Sequence, residues 1–297
     1  MKRSLRFAVA LLLVGLGLSC GSGSPGAPDA KTRTLTDDLG DRVELPAEVT
    51  RAVSLAPNIT EIVFAIGKGE SLVGVTTFCN YPPAAAKIRR VGDTLKPNIE
   101  TIVALRPQVV FVSTASQLES FIGLLEDRGI SVFVTNPDSL GEVYSSIQKI
   151  GDVLGAGIEA EALVGRMKER AAAVREDAGG GERPSVFVQI DPSLYTVGKG
   201  SYITDLVAMA GGKSVTANID TAYPKVSREA ALAYNPDIII ISVSPDNQEP
   251  NEVFSASKAV KNDRIVRIDA DILSRPGPRI VDALEVIHKG IQEGGNR

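Results

Sequence analysis

"NIETIVALRPQVVFV", residues 98–112, returns later in the chain as "SREAALAYNPDIIII", residues 227–241. Glu100 recurs as Glu229, Ala104 as Ala233 and Pro107 as Pro236. In each copy a short helical stretch stops at a proline, which lacks the N–H a helix needs to continue. The run that follows is apolar throughout rather than alternating. That pattern predicts a strand covered on both faces, as in the parallel sheet of an α/β protein. A chain that builds this unit twice is predicted to fold as two lobes of one plan.

The flanking segments extend the pattern. "RAVSL" (51–55), "LVGV" (72–75), "QVVFVS" (108–113) and "ISVFV" (130–134) read as strands. "NITEIVFAIG" (58–67) reads as a helix with Asn58 as N-cap and Gly67 at its end. "SQLESFIGLLEDRG" (116–129) places Leu118, Phe121, Ile122 and Leu125 on one helical face. Further on, "SVFVQI" (185–190), "DIIIISV" (237–243) and "RIVRID" (264–269) are strands, and "SYITDLVAMAGG" (201–212) and "PRIVDALEVIHKGI" (278–291) are helices. Between the two sets, residues 139–178 carry no strand signal and break only at "GAG" (155–157). The helix predicted from Ile158 to Ala178 spans roughly 30 Å, enough to join two units as a strut. "TLTDDLGDRVEL" (34–45) alternates around Asp-Leu-Gly and predicts a hairpin. The expected fold is therefore α/β: an N-terminal lobe over 34–138, connecting helices over 139–178 and a C-terminal lobe over 179–297. The sheets are parallel-rich, one long helix joins the lobes, and a ligand cleft lies between them.

The first 20 residues read as an export signal: Lys2, Arg3 and Arg6, then the apolar run "FAVALLLVGLGL", then Cys20. An apolar core, a small residue and a cysteine form the pattern of a bacterial lipoprotein signal, with Gly17 where leucine is usual. Lipidation at Cys20 is expected, with ordinary cleavage as the alternative, and residues 21–33 form a flexible tether. Loss of the three basic residues of the signal takes the formal net charge from −4 to −7. Such a chain offers no basic face to nucleic acid. With Cys20 lipidated, Cys79 has no disulfide partner.

Enzyme signatures fail on inspection. "GGKS" (211–214) is not a phosphate-binding loop, because Val207 stands where that motif needs its first glycine. "SIQK" and "SASK" match the Ser-x-x-Lys spacing of serine acylases without their companion motifs. His288 is the only histidine and lies on an apolar helical face, so neither a histidine triad nor a multi-histidine metal site is available. What remains is a set of unusual loops where strands end. "TTFCNYPPAA" carries Tyr81, "GDTLKPN" carries Thr94, "LYTVGKGS" carries Tyr195 and Lys199, and "DTAYPKVS" carries Tyr223. "DADILSRPGPR" carries Asp271, Arg275 and Arg279. In open α/β sheets, ligands sit beyond the carboxyl ends of strands. Tyrosines there grip a large flat ligand by an apolar face and a polar tip. Glu100 and Glu229 each lie two residues after an N-cap candidate, Asn98 and Ser227, where the helix dipole favours an acid.

Together "RAVSLAPNITEIVFAIG", "GVTTFCNYPPAAAKIRRVGD", "NIETIVALRPQVVF", "VSREAALAYNPDIII" and "SRPGPRI" resemble the substrate-binding proteins of ABC importers for cobalamin, haem and ferric siderophores, most of all the cobalamin-binding member. The resemblance runs from about residue 34 to the C-terminus. It implies two α/β lobes joined by one long helix, a monomer with no cofactor or metal of its own, and no catalysis. Glu100 and Glu229 match the glutamates, one per lobe, that dock on the two permease subunits, which the ATPase subunits drive. Tyr81, Tyr223 and Asp271 match positions lining the cobalamin pocket, and Asn58 and Tyr195 fall at similar positions. Thr94 and Ser113 stand where the cobalamin binder has tryptophans, and this chain has none. The implied ligand is a corrinoid, with haem or a ferric siderophore as the alternative and an exported enzyme or sensor on the same scaffold as a further one. Cys79, next but one to Tyr81, is read as a buried thiol, with a soft metal ligand as its alternative.

Overall fold

The computed structural model describes residues 32–114 and 119–293. The expected signal, most of the expected tether, the expected lipidation site Cys20 and the helical position Leu118 lie outside the described residues. The first two strands, β1 (Thr32–Thr36) and β2 (Arg42–Pro46), form the antiparallel hairpin read from the sequence. Asp37 makes its turn by accepting hydrogen bonds from the backbone N–H groups of Leu39 and Asp41.

The N-terminal lobe follows: β3 (Ala52–Ser54), α1 (Pro57–Ala65), β4 (Leu72–Val75), α2 (Ile99–Ala104), β5 (Val109–Ser113), α3 (Glu119–Glu126) and β6 (Ser131–Thr135). Its sheet has the order β4-β3-β5-β6, and every pairing is parallel. All five residues of β5 are buried, because helices cover both faces. Asn58 is not the N-cap of α1. Ala56 holds that position without a side-chain bond, Pro57 supplies the pre-set φ of the first turn, and Asn58 is buried inside the helix.

Two helices then connect the lobes. α4 (Leu140–Leu154) is capped by Ser139 at its start and ends at Gly155, whose φ of 64° turns the chain. α5 (Gly157–Asp177) runs back for 21 residues, about 30 Å. The two touch closely at Gly151, where a side chain would collide with Ala160. The hairpin holds α4 through Lys149–Asp38 at 2.7 Å and Ser146–Asp38 at 2.6 Å.

The C-terminal lobe comprises β7 (Ser185–Gln189), α6 (Tyr202–Met209), β8 (Lys213–Ser214), α7 (Arg228–Tyr234), β9 (Ile238–Val243), α8 (Lys258–Lys261), β10 (Ile265–Asp269), α9 (Ala270–Leu273) and α10 (Ile280–Glu293). Its sheet order, β8-β7-β9-β10, repeats that of the first lobe strand for strand: second, first, third, fourth. The match reaches the backbone. Asn98 and Ser227 each accept a hydrogen bond from the N–H three residues on. Arg106 (φ 45°) and Asn235 (φ 41°), each just before the recurring proline, both adopt the left-handed conformation.

α5 is fastened to the second lobe by α10. Arg170 grips both carboxylate oxygens of Glu285, at 2.8 and 2.7 Å, and Asp282 at 2.7 Å. His288 lies between Asp177 and the carbonyl of Ala210, the structural role its apolar face implied. A single contiguous core runs from Ile59 and Ile62 of α1 through Ile147 of α4 and Met167 of α5 to Ile203 of α6 and Ile287 of α10. Separate clusters cover the outer face of each sheet.

Candidate ligand-binding cleft

The strands of both sheets end toward the facing lobe. At one edge, the loop after β4 meets the segment after β10. Asn80 donates to Asp271 across the two lobes at 2.7 Å, and the guanidinium of Arg279 lies 4.2 Å from the centroid of the Tyr81 ring. At the other edge, Asp138 follows β6 and comes near enough to Tyr223, after β8, for its charge to act on the phenol. At each edge the second strand of one lobe faces the fourth strand of the other. A half-turn between two like bodies gives this disposition.

The β4–β10 edge is built from charges that share one centre. Glu61, on α1, has a side chain only 2 % exposed. Arg279 binds it twice, Nε to Oε2 at 2.8 Å and Nη2 to Oε1 at 2.6 Å. Arg275 binds it at 2.9 Å and extends to Asp271 at 2.6 Å, to the Asn80 side-chain oxygen at 2.8 Å and to the Phe78 carbonyl. Two acids and two arginines leave the cluster neutral. Bonding to Glu61 holds the Arg279 guanidinium above its ordinary pKa. Forked guanidinium–carboxylate bonds of this kind fix orientation as well as charge.

The expected site residues fall in different places. Tyr81 and Asp271 are brought together at this edge, and Tyr81 is 44 % exposed. Tyr195 and Tyr223 lie on adjacent segments of the second lobe, joined by a bridge between Tyr195 and Lys225. The Lys225 ammonium sits 5.4 Å from the Tyr195 ring. Although Tyr223 is 46 % exposed, desolvation of its hydroxyl raises its pKa above the ordinary value, against the lowering effect of Ser201 and Tyr202. Thr94 lies on a loop whose Gly92 carbonyl accepts from Thr77, placing it beside the Tyr81 loop. Asn58, by contrast, is buried, and its amide is spent on the carbonyl of Pro276, so it helps to close the joint. Glu100 and Glu229 are both exposed at the starts of α2 and α7. The backbone N–H of Glu229 and the Ser227 hydroxyl hold the Glu229 carboxyl below the usual range.

Cys79 is fully buried, 3.1 Å from the Thr60 hydroxyl and 3.2 Å from that of Thr76, and packs as a core thiol. Glu61 and Asn80 escaped the reading of the sequence. The signal for Glu61 was a single acid within the apolar stripe Ile59, Ile62, Val63 and Ile66. Asn80 had no signal beyond its neighbour Tyr81. Among the described residues, no group of three or more His, Cys, Asp or Glu is placed to hold a metal, and no helix is long and apolar enough to cross a membrane. The arrangement can clasp a ligand between aromatic and polar walls.

Known proteins share this fold. A family model described as periplasmic binding protein matches residues 53–272. An uncharacterized ABC transporter substrate-binding lipoprotein of Bacillus subtilis, YvrC, is 33 % identical over 98 % of each chain. The vitamin B12-binding protein of Vibrio cholerae is 28 % identical over 82 % of this chain and 88 % of its own. The crystal structure of the Vibrio cholerae B12-binding protein superposes with a TM-score of 0.72 at 25 % identity, covering 84 % of this chain and 99 % of that one. A haem-binding protein from Roseiflexus shares the fold, with a TM-score of 0.74 at 24 % identity over 84 % of this chain and all of its own. Matched by the family model across both lobes, and one-third identical to a relative along nearly its full length, the chain belongs to the periplasmic binding protein family.

Proposed function

We propose that this substrate-binding component of an ABC importer captures cobalamin or a related corrinoid between its lobes and delivers it to a membrane permease. The observation that carries the reading is the joining of the Tyr81 loop to the Asp271 segment of the other lobe, through Asn80 on Asp271 and Arg279 on the Tyr81 ring. A ligand held there touches an aromatic face and a carboxylate at once, which suits a broad ring system edged with amides. Tyr195 and Tyr223 supply the opposing wall, with Thr94 at the loop beside Tyr81. The likeness to the Vibrio cholerae B12-binding protein supports the corrinoid. Haem or a ferric siderophore is the competing ligand, because Thr94 and Ser113 supply no aromatic ring.

The protein works as an exported monomer, tethered to the membrane by lipid on Cys20, and performs no chemistry. Glu100 and Glu229 dock on the two permease subunits, and the attached ATPase subunits provide the energy. The test is the visible spectrum of the purified protein after separate incubation with cyanocobalamin, haemin and a ferric siderophore, followed by gel filtration. Retention of the corrinoid bands alone supports the proposal. Retention of haem or ferric bands instead overturns the ligand, and retention of none overturns the cleft assignment.

A further inference from the structure

Glu61 stands out as a carboxylate inside the core face of α1 that takes both of its partners from the other lobe. Its side chain is 2 % exposed. Yet the two arginines it holds are the two that touch the proposed ligand contacts. Arg279 covers the Tyr81 ring at 4.2 Å, and Arg275 lies 2.6 Å from Asp271. Both arginines are themselves largely buried, with side chains 17 % and 10 % exposed. We infer that Glu61 is a positioning residue of the ligand site, fixing Tyr81 through Arg279 and Asp271 through Arg275 without reaching the ligand itself.

The geometry explains why a charge is needed there. A tyrosine 44 % exposed on a loop has little packing of its own to hold its ring. The guanidinium plane supplies a second surface, and that plane is oriented only while its fork is anchored. Asp271 is likewise the exposed member of its pair, with a side chain 41 % exposed against 10 % for Arg275. Removing the central carboxylate leaves two buried cations side by side, which must then turn toward Asp271 or toward water. Either movement takes Arg279 off the Tyr81 ring, and Asp271 shifts with the Arg275 that holds it. One buried residue thus sets the spacing between a ligand contact of the first lobe and one of the second.

The inference about affinity rests on the cleft being the ligand site, so the test has one arm that needs no ligand. Glu61→Gln keeps the shape and removes the charge. In hydrogen exchange of the ligand-free protein, its amides over 76–81 and 270–279 are expected to exchange at least about tenfold faster, while those of β9 and α5 stay unchanged. Unchanged exchange in the two loops overturns the clasp. In the second arm, cyanocobalamin and, separately, haemin are titrated into wild type, Glu61→Gln, the pair Tyr81→Ala with Asp271→Ala, and the triple variant. The expected result is a loss of about tenfold for Glu61→Gln in wild type and less than about twofold in the pair background. An equal loss in both backgrounds overturns the positioning role. Should Glu61→Gln fail to fold, Arg279→Lys keeps a cation near Glu61 but loses the fork and the flat cover of the ring, and is expected to lose affinity only while Tyr81 is present. Wild type that binds neither probe refutes the function proposed above, and the exchange arm still decides the clasp.

Discussion

Asn80 and Asp271 meet across the cleft, the amide nitrogen of one 2.7 Å from the carboxylate of the other. The second oxygen of Asp271 is held by Arg275, so the aspartate is oriented from both sides. A ligand amide that bonds Asp271 takes the place of Asn80. Asp271→Ala is therefore expected to raise the Kd for cyanocobalamin by about tenfold or more, the scale of a hydrogen bond to a charged group. Asn80→Ala is expected to change it by less than about threefold. Calorimetry on both variants checks this, and the reverse ranking would refute it.

The recurrence of Glu100 as Glu229 gives a second expectation. Replacing both with alanine leaves cyanocobalamin affinity unchanged and weakens association with the permease, most clearly at low salt, where exposed charges are least screened. Each single variant is expected to lose part of the association. Binding to permease reconstituted in lipid discs, measured over a salt series, provides the check, and association of the double variant equal to wild type removes the docking role.

The Arg170–Glu285 pair predicts a pH dependence. Its bond to Arg170 holds Glu285 below its ordinary value of 4.5. A carboxyl depressed in the folded state contributes stability above its unfolded pKa and loses it as pH falls through the folded value. The stability difference between wild type and Arg170→Met is expected to be largest near neutral pH and to shrink progressively below about pH 4.5. Both side chains are partly exposed, so the difference stays below about 1 kcal/mol. Urea unfolding at pH 7 and pH 3.5 measures it.

What could be read in advance followed from periodicity. Residues 109–112 and 238–241 are apolar without a break, and only a strand covered on both faces suits them. The strut was legible for a similar reason, since Gly155 and Gly157 bracket its start and little interrupts it before Asp177. The short elements were not. β8 is two residues long and α9 four, and at that length pairing and local contacts decide rather than pattern. Asn58 misled because its type suits an N-cap, whereas Pro57 had already set the first turn. In the cleft, tyrosines before prolines were visible as loop furniture. The bonds from Glu61 to Arg275 and Arg279 span 214 and 218 residues, and no local spacing announces them.

The half-turn that relates the lobes has a consequence for encounter. A partner made of two like subunits has a two-fold axis of its own. A ligand carrier whose matched faces repeat under a half-turn presents nearly the same outline to that partner after being spun end for end. On the docking proposed above, two orientations would lead to a productive complex instead of one, halving the rotational search. Whatever distinguishes the two orientations must come from places where the lobes differ, and the Glu61 clasp, present at one edge of the cleft only, is the clearest such mark.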